Sequence, residues 1–359
     1  MGRITEVPGV RVGRAERIGD GWLSGVTVVL PPPGTVGSVD VRGGGPGTHE
    51  TDALDPSTLV STVDAVVLTG GSAYGLVSAH GAQLWCEEQG RGFPVQGGVV
   101  PIVPAAAIFD LGRGGDFTAR PDAAMGHQAA ADAGAREDGH DVERGAVGAG
   151  TGALIAQGRF KGGLGTSAIH LDDGVIVGAL AVVNALGSPL GLEAASGTLS
   201  PRSLVTPTGA GPVQGDAPAS ASRKESGSVR LSEGRASTRR IASDSPEAGE
   251  GHQLNTTLAV VVTNAALEVA QCRRTATAAH AGLARALNPS HTLADGDTVF
   301  ALSTGVETGW TSLPPQERTA FLIALQSAAA EAVRLAILDG VEQAAGMTTP
   351  AGAFPAWGA

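Results

Sequence analysis

The stretch NTTLAVVVTN, residues 255–264, marks the place where a buried strand begins. Its apolar and β-branched part, residues 258–263, predicts a strand covered by other elements. The preceding residues 206–252 are dominated by Thr, Pro, Ser, Gly and Ala with scattered charges, and they predict a disordered linker. A linker of this length that ends at a buried strand is unusual inside a compact domain and calls for a reason.

Thr256, at the junction of linker and strand, predicts a self-cleaving hydrolase. Such enzymes break their own peptide bond just before a Ser, Thr or Cys, and the freed residue carries a nucleophile and its own α-amino base. The ordinary pKa of an α-amino group, about 7.7 to 8.0, lets it accept the hydroxyl proton near neutrality. Asn255 supplies a small residue whose carbonyl the Thr256 hydroxyl can attack. The alternative is an ordinary threonine that opens a strand.

The composition predicts a globular protein without nucleic-acid or membrane partners. At 359 residues and 42% hydrophobic content, the chain can bury one large core or two. Its 54 glycines and 3% aromatic residues predict an interior of Ala, Val and Leu with closely packed backbone, unless they only reflect a GC-rich genome. The net charge of −11 provides no basic field for nucleic acid or anionic lipid. No stretch approaches the roughly 18 apolar residues of a membrane span, and we expect a cytoplasmic protein.

The two cysteines, Cys86 and Cys272, show neither a C-x-x-C pattern nor a metal-ligand spacing. Both lie in apolar helical surroundings. We therefore expect reduced core thiols, with a disulfide as the alternative.

Short β-branched runs alternate with Gly/Pro turns and Ala-rich helical stretches along the rest of the chain. Strands are predicted at residues 26–30, 63–69, 99–103, 175–183 and 298–303. Helices are predicted at 72–90 with Ser72 as N-cap, at 121–133, at about 265–287, and from Pro315 onward. This order of elements predicts a layered α/β fold.

Asp295 and Asp297 flank Gly296 just before a predicted strand. On an extended chain residues i and i+2 share a face, so both carboxylates can point at one site. Like charges that close raise one pKa, which suits proton shuttling. The alternative is an Asp-Gly turn that leads into the strand. A metal has little support, because no histidine lies at ligand spacing and His291 reads as a loop residue.

The run GAGTGA, residues 148–153, imitates a dinucleotide fingerprint, with Asp172 and Asp173 about twenty residues further on. No predicted strand precedes it, and Gly158 and the KGG of 161–163 break the helix that should hold a pyrophosphate. We therefore expect no nicotinamide, flavin or other cofactor.

Asn184 is a lone amide at the end of the apolar run 175–183. It is either a turn former beside Gly187 and Pro189 or a donor to an oxyanion. Removing such a donor costs roughly 10²- to 10³-fold in rate in other enzymes.

Several blocks in one order resemble the family of L-aminopeptidase/D-esterase (DmpA-like) enzymes, β-aminopeptidases and nylon-oligomer hydrolases. The blocks are VRGGGPGT (41–48) with ETD (50–52), LTGGSAYGL (68–76), GAGTGA (148–153), KGGLG (161–165) and NTT (255–257). The resemblance covers nearly everything except the linker. It implies a four-layered α/β/β/α sandwich of the N-terminal-nucleophile hydrolase type.

The resemblance also implies how the site is made. The precursor would cut itself between Asn255 and Thr256, and the pieces 1–255 and 256–359 would form one folded domain. Thr256 would become the N-terminal nucleophile, Asp295 and Asp297 would orient its amine and relay protons, and Asn184 would hold the oxyanion. A Thr with a downstream Asp-Gly-Asp is similar to the nylon-oligomer branch. The resemblance implies no metal or cofactor. The processed protein is expected to be a homo-oligomer, such as a tetramer of αβ units.

Two positions depart from the family pattern. A family Tyr falls where this chain has Phe109, which cannot donate a hydrogen bond to an oxyanion. A family Lys falls near Gln157, and Lys161 is the nearest cation. We treat Lys161, Phe109 and Tyr74 as accessory candidates.

The expected substrates are short peptides, amino-acid amides or esters, and ω-amino-acid oligomers. The alternatives are an acyltransferase of the ornithine acetyltransferase type and a non-catalytic relative.

Overall fold

The computed structural model describes residues 2–192 and 255–359, so the linker predicted at 206–252 lies outside the described residues. The strands are, in chain order, β1 (Arg11–Gly19), β2 (Trp22–Leu30), β3 (Val36–Val41), β4 (Thr48–His49), β5 (Val66–Thr69), β6 (Phe93–Val95), β7 (Gly98–Val100), β8 (Ala105–Ala107), β9 (Leu154–Ile155), β10 (Phe160–Lys161), β11 (Leu164–His170), β12 (Ile176–Asn184), β13 (Ser188–Pro189), β14 (Thr256–Ala265), β15 (Leu287–Asn288), β16 (Thr298–Glu307), β17 (Met347–Thr349) and β18 (Gly352–Phe354). The α-helices are α1 (Ser72–Gly75), α2 (Ser78–Glu88), α3 (Ala123–Ala135), α4 (Val269–Ala286) and α5 (Pro315–Glu342).

Two five-stranded sheets form the centre of the fold. The first has the order β1-β2-β5-β8-β4 and the second the order β11-β12-β14-β16-β3. Each contains one parallel pair, β5 with β8 and β14 with β16, among antiparallel neighbours. In the second sheet β12 pairs with β14 from Val177↔Thr263 to Asn184↔Thr256. Residues before and after the predicted cleavage point therefore belong to one sheet.

The pleat of β14 divides its side chains between two cores. Leu258 and Val260 pack toward β2 and β5 of the first sheet, in a cluster that contains Val29 and Leu68. The odd-numbered residues, such as Val261, pack against α4 and α5 on the other face. A third cluster joins the outer face of the first sheet to α2 and α3. The predicted α/β/β/α order of four layers is confirmed.

Small residues let the helices approach the sheets closely, as the composition predicted. A Cβ on Gly13 of β1 would lie 2.0 Å from the amide nitrogen of Ala133 in α3. A Cβ on Gly165 of β11 would lie 2.1 Å from the amide nitrogen of Gly340 in α5. Backbone rather than side chain therefore fills these contacts, and a larger residue would separate the layers.

The cysteines are free and buried, as predicted. Cys86 packs under the first sheet and Cys272 under the second, in separate clusters. Burial raises the pKa of each thiol to about 12, so both remain protonated at neutral pH. The disulfide alternative is wrong.

Two local predictions are wrong. Ser72 is not an N-cap: the helix interior begins at Ser72, Gly71 takes the cap position, and the side chain of Ser72 makes no cap hydrogen bond. The predicted strand 99–103 is formed only at its start, where β7 ends at Val100 and pairs with β6; residues 101–103 are not in a strand, and β8 of the first sheet begins at Ala105. Pro101 and Pro104 lie between them and lack the N–H that a continuous strand would donate. The helix predicted at 121–133 is confirmed with Asp122 as N-cap, which accepts from Met125 N–H at 2.9 Å.

Helix α5 corrects the expectation about apolar stretches. It is long and apolar enough to cross a membrane by length and composition, and its most apolar window has a mean hydropathy of 1.6. Half of that window is buried. Leu325, Val333 and Ile337 pack against α4 and the second sheet, which is how the core helix of a layered fold is placed.

Candidate active site

Thr256 and Asn184 stand directly opposite each other where β14 begins and β12 ends. Opposed residues of an antiparallel pair point to the same face, with Cβ atoms about 4.5 to 5.5 Å apart. The even-numbered residues of β14 face the first sheet, so both side chains point into the space between the sheets. Thr257 points to the helix side. Asn184 is fully buried and Thr256 is 4% exposed, which keeps most water away from the hydroxyl.

The peptide bond between Asn255 and Thr256 is held by two hydrogen bonds to its carbonyl oxygen. The Thr256 hydroxyl donates to that oxygen at 2.5 Å, and the backbone N–H of Gly296 donates to it at 2.9 Å. The N–H of Asn255 donates to the carbonyl of Ala294 at 2.9 Å. The loop that carries the two predicted aspartates therefore holds both the N–H and the carbonyl of Asn255 by hydrogen bonds.

Asp297 connects the start of β14 to His291. One carboxylate oxygen accepts the backbone N–H of Thr257 at 2.7 Å. The other oxygen accepts the backbone N–H of His291 at 2.9 Å and lies 2.7 Å from its Nδ1. Asp297 thus holds the strand in place one residue beyond the junction, and His291, taken for a loop residue, is its partner.

Asp295 organises the loop itself. Its carboxylate accepts the hydroxyl of Thr292 at 2.6 Å and the backbone N–H of Thr292 at 2.8 Å. Burial raises the pKa of Asp295, with a further contribution from the charge of Asp297, while the hydrogen bonds from Thr292 oppose the shift. A turn also closes from Asp295 N–H to the Thr292 carbonyl at 3.1 Å, just before the Asp-Gly pair. The two carboxylates lie beside the junction and already accept hydrogen bonds from the protein.

The glycine block at 41–48 packs on this aspartate loop. The backbone N–H groups of Arg42 and Gly45 donate to the carbonyls of Asp297 at 2.9 Å and Asp295 at 2.8 Å. A Cβ on Gly43 would lie 2.3 Å from the carbonyl oxygen of Asp295. Only glycine fits there without moving the loop.

Gly296 is a site residue that sequence reasoning missed. Its N–H reaches the Asn255 carbonyl, and a Cβ at this position would lie 2.6 Å from the Thr256 hydroxyl oxygen. Its place between two aspartates was the available signal, but the pattern drew attention to the carboxylates instead.

Lys161 is fully buried and binds the glycine run that imitates a dinucleotide motif. Its ammonium donates to the carbonyls of Thr151 at 2.7 Å and Ala153 at 2.9 Å. Burial, reinforced by the nearby charge of Arg113, lowers the pKa of Lys161 to about 7. The run itself forms a short 3-10 turn at Gly148–Gly150 and opens no α-helix, so it lacks the helix N-terminus that binds a pyrophosphate.

The Asn184 amide is enclosed by a network that includes an unpredicted arginine. Its oxygen accepts Arg113 Nη1 at 2.5 Å and the backbone N–H of Leu154 at 3.0 Å. Its nitrogen donates to the carbonyl of Phe109 at 3.3 Å. Phe109 thus contributes its main chain where its ring cannot donate. No motif in the sequence marks Arg113.

Tyr74, an accessory candidate, lies apart from this network. The ring of Tyr74 is 55% exposed and stacks under the guanidinium of Arg120 at 3.8 Å, with no hydrogen bond to the junction among the described residues. Within residues 2–192 and 255–359, no group of three or more His, Cys, Asp or Glu side chains is placed to hold a metal ion.

Comparisons with known proteins identify the family and the fold. The family model described as Peptidase family S58 matches residues 2–354. An uncharacterized aminopeptidase of Mycobacterium tuberculosis is 44% identical over 372 residues, covering 99% of this chain and 98% of the relative. A 6-aminohexanoate-oligomer endohydrolase of Kocuria sp. is 28% identical over 309 residues, covering 83% of this chain and 74% of that protein.

Solved structures show the same fold. A β-aminopeptidase of Burkholderia sp. superposes with a TM-score of 0.64 at 21% identity, covering 99% of this chain and 90% of that chain. The L-aminopeptidase D-Ala-esterase/amidase of Ochrobactrum anthropi, described as a variant of the Ntn hydrolase fold, superposes with a TM-score of 0.65 at 19% identity and the same coverages. The resemblance predicted from the sequence blocks is confirmed. The chain therefore belongs to peptidase family S58 and is a hydrolase of the aminopeptidase class.

Proposed function

We propose that the chain cuts itself between Asn255 and Thr256 and then hydrolyses small amides through an acyl-enzyme on Thr256. The observation that carries the proposal is the Thr256 hydroxyl, 2.5 Å from the oxygen of the carbonyl that precedes it. Attack by that hydroxyl oxygen on the carbonyl carbon closes a five-membered ring. The C–N bond then breaks, the hydroxyl proton passes to the departing nitrogen, and water hydrolyses the resulting ester.

Two contacts favour this self-cleavage. The Gly296 N–H, 2.9 Å from the Asn255 carbonyl oxygen, is placed to stabilise the negative charge that develops there. The hydrogen bond from Thr257 N–H to Asp297 holds the following residue, so the reacting atoms stay close without further ordering.

The same residues would then act on a substrate. The new α-amino group of Thr256 takes the proton from its hydroxyl, and the hydroxyl oxygen attacks the substrate carbonyl. The proton is delivered to the leaving amine, and water releases the acyl group. Asn184 donates to the oxyanion, while Asp295 and Asp297 lie beside the amine. The substrates that we propose are short peptides, amino-acid amides and ω-amino-acid oligomers, in keeping with the names of the relatives. Those names favour hydrolysis over acyl transfer.

The first experiment is a denaturing gel of the purified protein with N-terminal sequencing of the smaller piece. We expect two pieces, the smaller beginning at Thr256, and a panel of aminoacyl anilides and 6-aminohexanoate oligomers should be cleaved only after processing. Thr256→Ala should remain a single chain. The matched control is Thr257→Ala, because that hydroxyl has no hydrogen-bond partner among the described residues. A wild-type chain that stays intact after long incubation would refute the proposal.

A further inference from the structure

We infer that Arg113 is a positioning residue, which turns the Asn184 amide so that its NH2 group faces Thr256. The inference rests on the proposed function of Thr256. Arg113 lies 71 residues before Asn184 and meets it only through the fold. Its Nη1 donates to the Asn184 amide oxygen at 2.5 Å and to the Gly152 carbonyl at 2.6 Å.

The chemistry of the neighbours fixes the orientation of the amide. The oxygen of Asn184 meets two donors, Arg113 Nη1 and Leu154 N–H, and its nitrogen meets one acceptor, the Phe109 carbonyl. A turned amide would place its NH2 against both donors and its oxygen against the carbonyl, which loses all three hydrogen bonds. An arginine carries no acceptor, so it accepts only one of the two orientations. Arg113 therefore supports the orientation that the Leu154 N–H and the Phe109 carbonyl also favour, and it is the charged member of the three.

The orientation leaves one donor for the reaction. An amide NH2 has two N–H groups, and one of them is used by the Phe109 carbonyl at 3.3 Å. The other has no acceptor among the residues that the structure describes. Because Asn184 and Thr256 share a face of the sheet, this N–H is on the side where an oxyanion forms.

The charge of Arg113 strengthens the same donor. Burial lowers the pKa of Arg113 to about 10, and the charge of Asp110 opposes that shift, so the guanidinium stays charged at neutral pH. A charged donor on the amide oxygen draws electron density from the amide and makes its N–H groups better donors. Arg113 thus polarises Asn184 as well as orienting it.

The test is a double-mutant cycle with Arg113→Met and Asn184→Ala, read by the first-order rate of self-cleavage and by kcat and KM on an aminoacyl anilide. We expect Arg113→Met to lower the cleavage rate and kcat about 10- to 100-fold, with KM changed less than about threefold, because the donor acts on the transition state. The double variant should be no slower than Asn184→Ala alone. Losses that multiply, or wild-type rates in Arg113→Met, would overturn the inference.

Three further variants separate positioning from folding. Arg144→Met removes another arginine, which pairs with Asp339 at 3.1 Å, and should leave both rates unchanged. Asn184→Asp keeps an acceptor for Arg113 and should keep the thermal midpoint while losing rate. If Arg113→Met does not fold, Arg113→Lys carries the test: retained charge should restore part of the rate, and a Lys variant as fast as wild type would contradict the need for the planar guanidinium. A wild-type chain that does not process would refute the function of Thr256 and would be recognised before any variant is compared.

Discussion

Replacing Gly296 with alanine tests whether this residue sets the position of the Thr256 hydroxyl, the proposed nucleophile. The added Cβ would lie 2.6 Å from the Thr256 hydroxyl oxygen, 2.8 Å from the Gly45 carbonyl oxygen and 3.2 Å from the Cα of Pro46. A normal carbon–oxygen contact needs several tenths of an ångström more, and two of the three neighbours are backbone atoms. The hydroxyl must therefore move. The Gly296 N–H remains in Gly296→Ala, so the change alters geometry without removing the donor.

We expect Gly296→Ala to affect the rate of self-cleavage more than the stability of the fold. Overpacking by one methyl group destabilises a protein by about 1 to 3 kcal/mol, whereas a misplacement of about 1 Å at reacting atoms costs about 10²-fold in rate. We expect self-cleavage, followed on denaturing gels, to slow by about that factor in a chain that still unfolds cooperatively. Gly309→Ala is the control, because a Cβ there meets nothing within 4 Å. Self-cleavage of Gly296→Ala at the wild-type rate would refute the contact between Gly296 and the nucleophile.

Two other changes test the neighbouring groups. Asp297→Asn places an NH2 group against either the Thr257 N–H or the His291 N–H, where the carboxylate now accepts. Self-cleavage should therefore slow at least about tenfold, and the free energy of unfolding in urea should fall by about 1 to 3 kcal/mol. Unchanged values would show that Asp297 does not hold the strand. Folding lowers the pKa of Lys161 from 10.5 to about 7. Between these two pH values the unfolded chain binds more protons than the folded chain. The free energy of unfolding should therefore rise with pH across that window, by at most about 5 kcal/mol. Urea unfolding of uncleaved Thr256→Ala protein at pH 7 and pH 10, with and without Lys161→Met, measures this; an equal slope in both would contradict it.

The local elements of the fold were predictable because their signals are local. The β-branched run at 258–263 and the Pro at 315 each mark an element without reference to the rest of the chain. The close packing of α2 on α3 has a tertiary cause that no local signal carries. A Cβ on Gly81 of α2 would lie 1.7 Å from the Ala123 carbonyl oxygen, and one on Gly126 of α3 would lie 1.8 Å from the Ser78 carbonyl oxygen. These close approaches depend on how the layers meet.

The candidate site divides in the same way. Asp295 and Asp297 stand close in sequence, and their spacing alone predicted a shared neighbourhood. Arg113 contacts Asn184 because the segment after β8 passes the end of β12. Neither segment's sequence indicates the order of strands in the two sheets, so this contact could not be predicted. Residues that join distant parts of a chain through one hydrogen bond leave no periodic pattern. A single sequence therefore points to a candidate nucleophile more readily than to the groups that orient its hydrogen-bond donors.

The choice between Thr256 and Thr257 shows what the structure adds to the resemblance. Adjacent residues of a strand point to opposite faces, so only one of the two hydroxyls can share the inter-sheet face with Asn184. That residue is Thr256, and its hydroxyl alone reaches the preceding carbonyl, at 2.5 Å. The hydroxyl of Thr257 is buried on the helix side, and its N–H is already bound by Asp297. A shift of one residue in the pairing of β12 with β14 would exchange the two faces. The register of that pair, fixed by Leu258 and Val260 in the inter-sheet core, is therefore what favours Thr256 as the nucleophile.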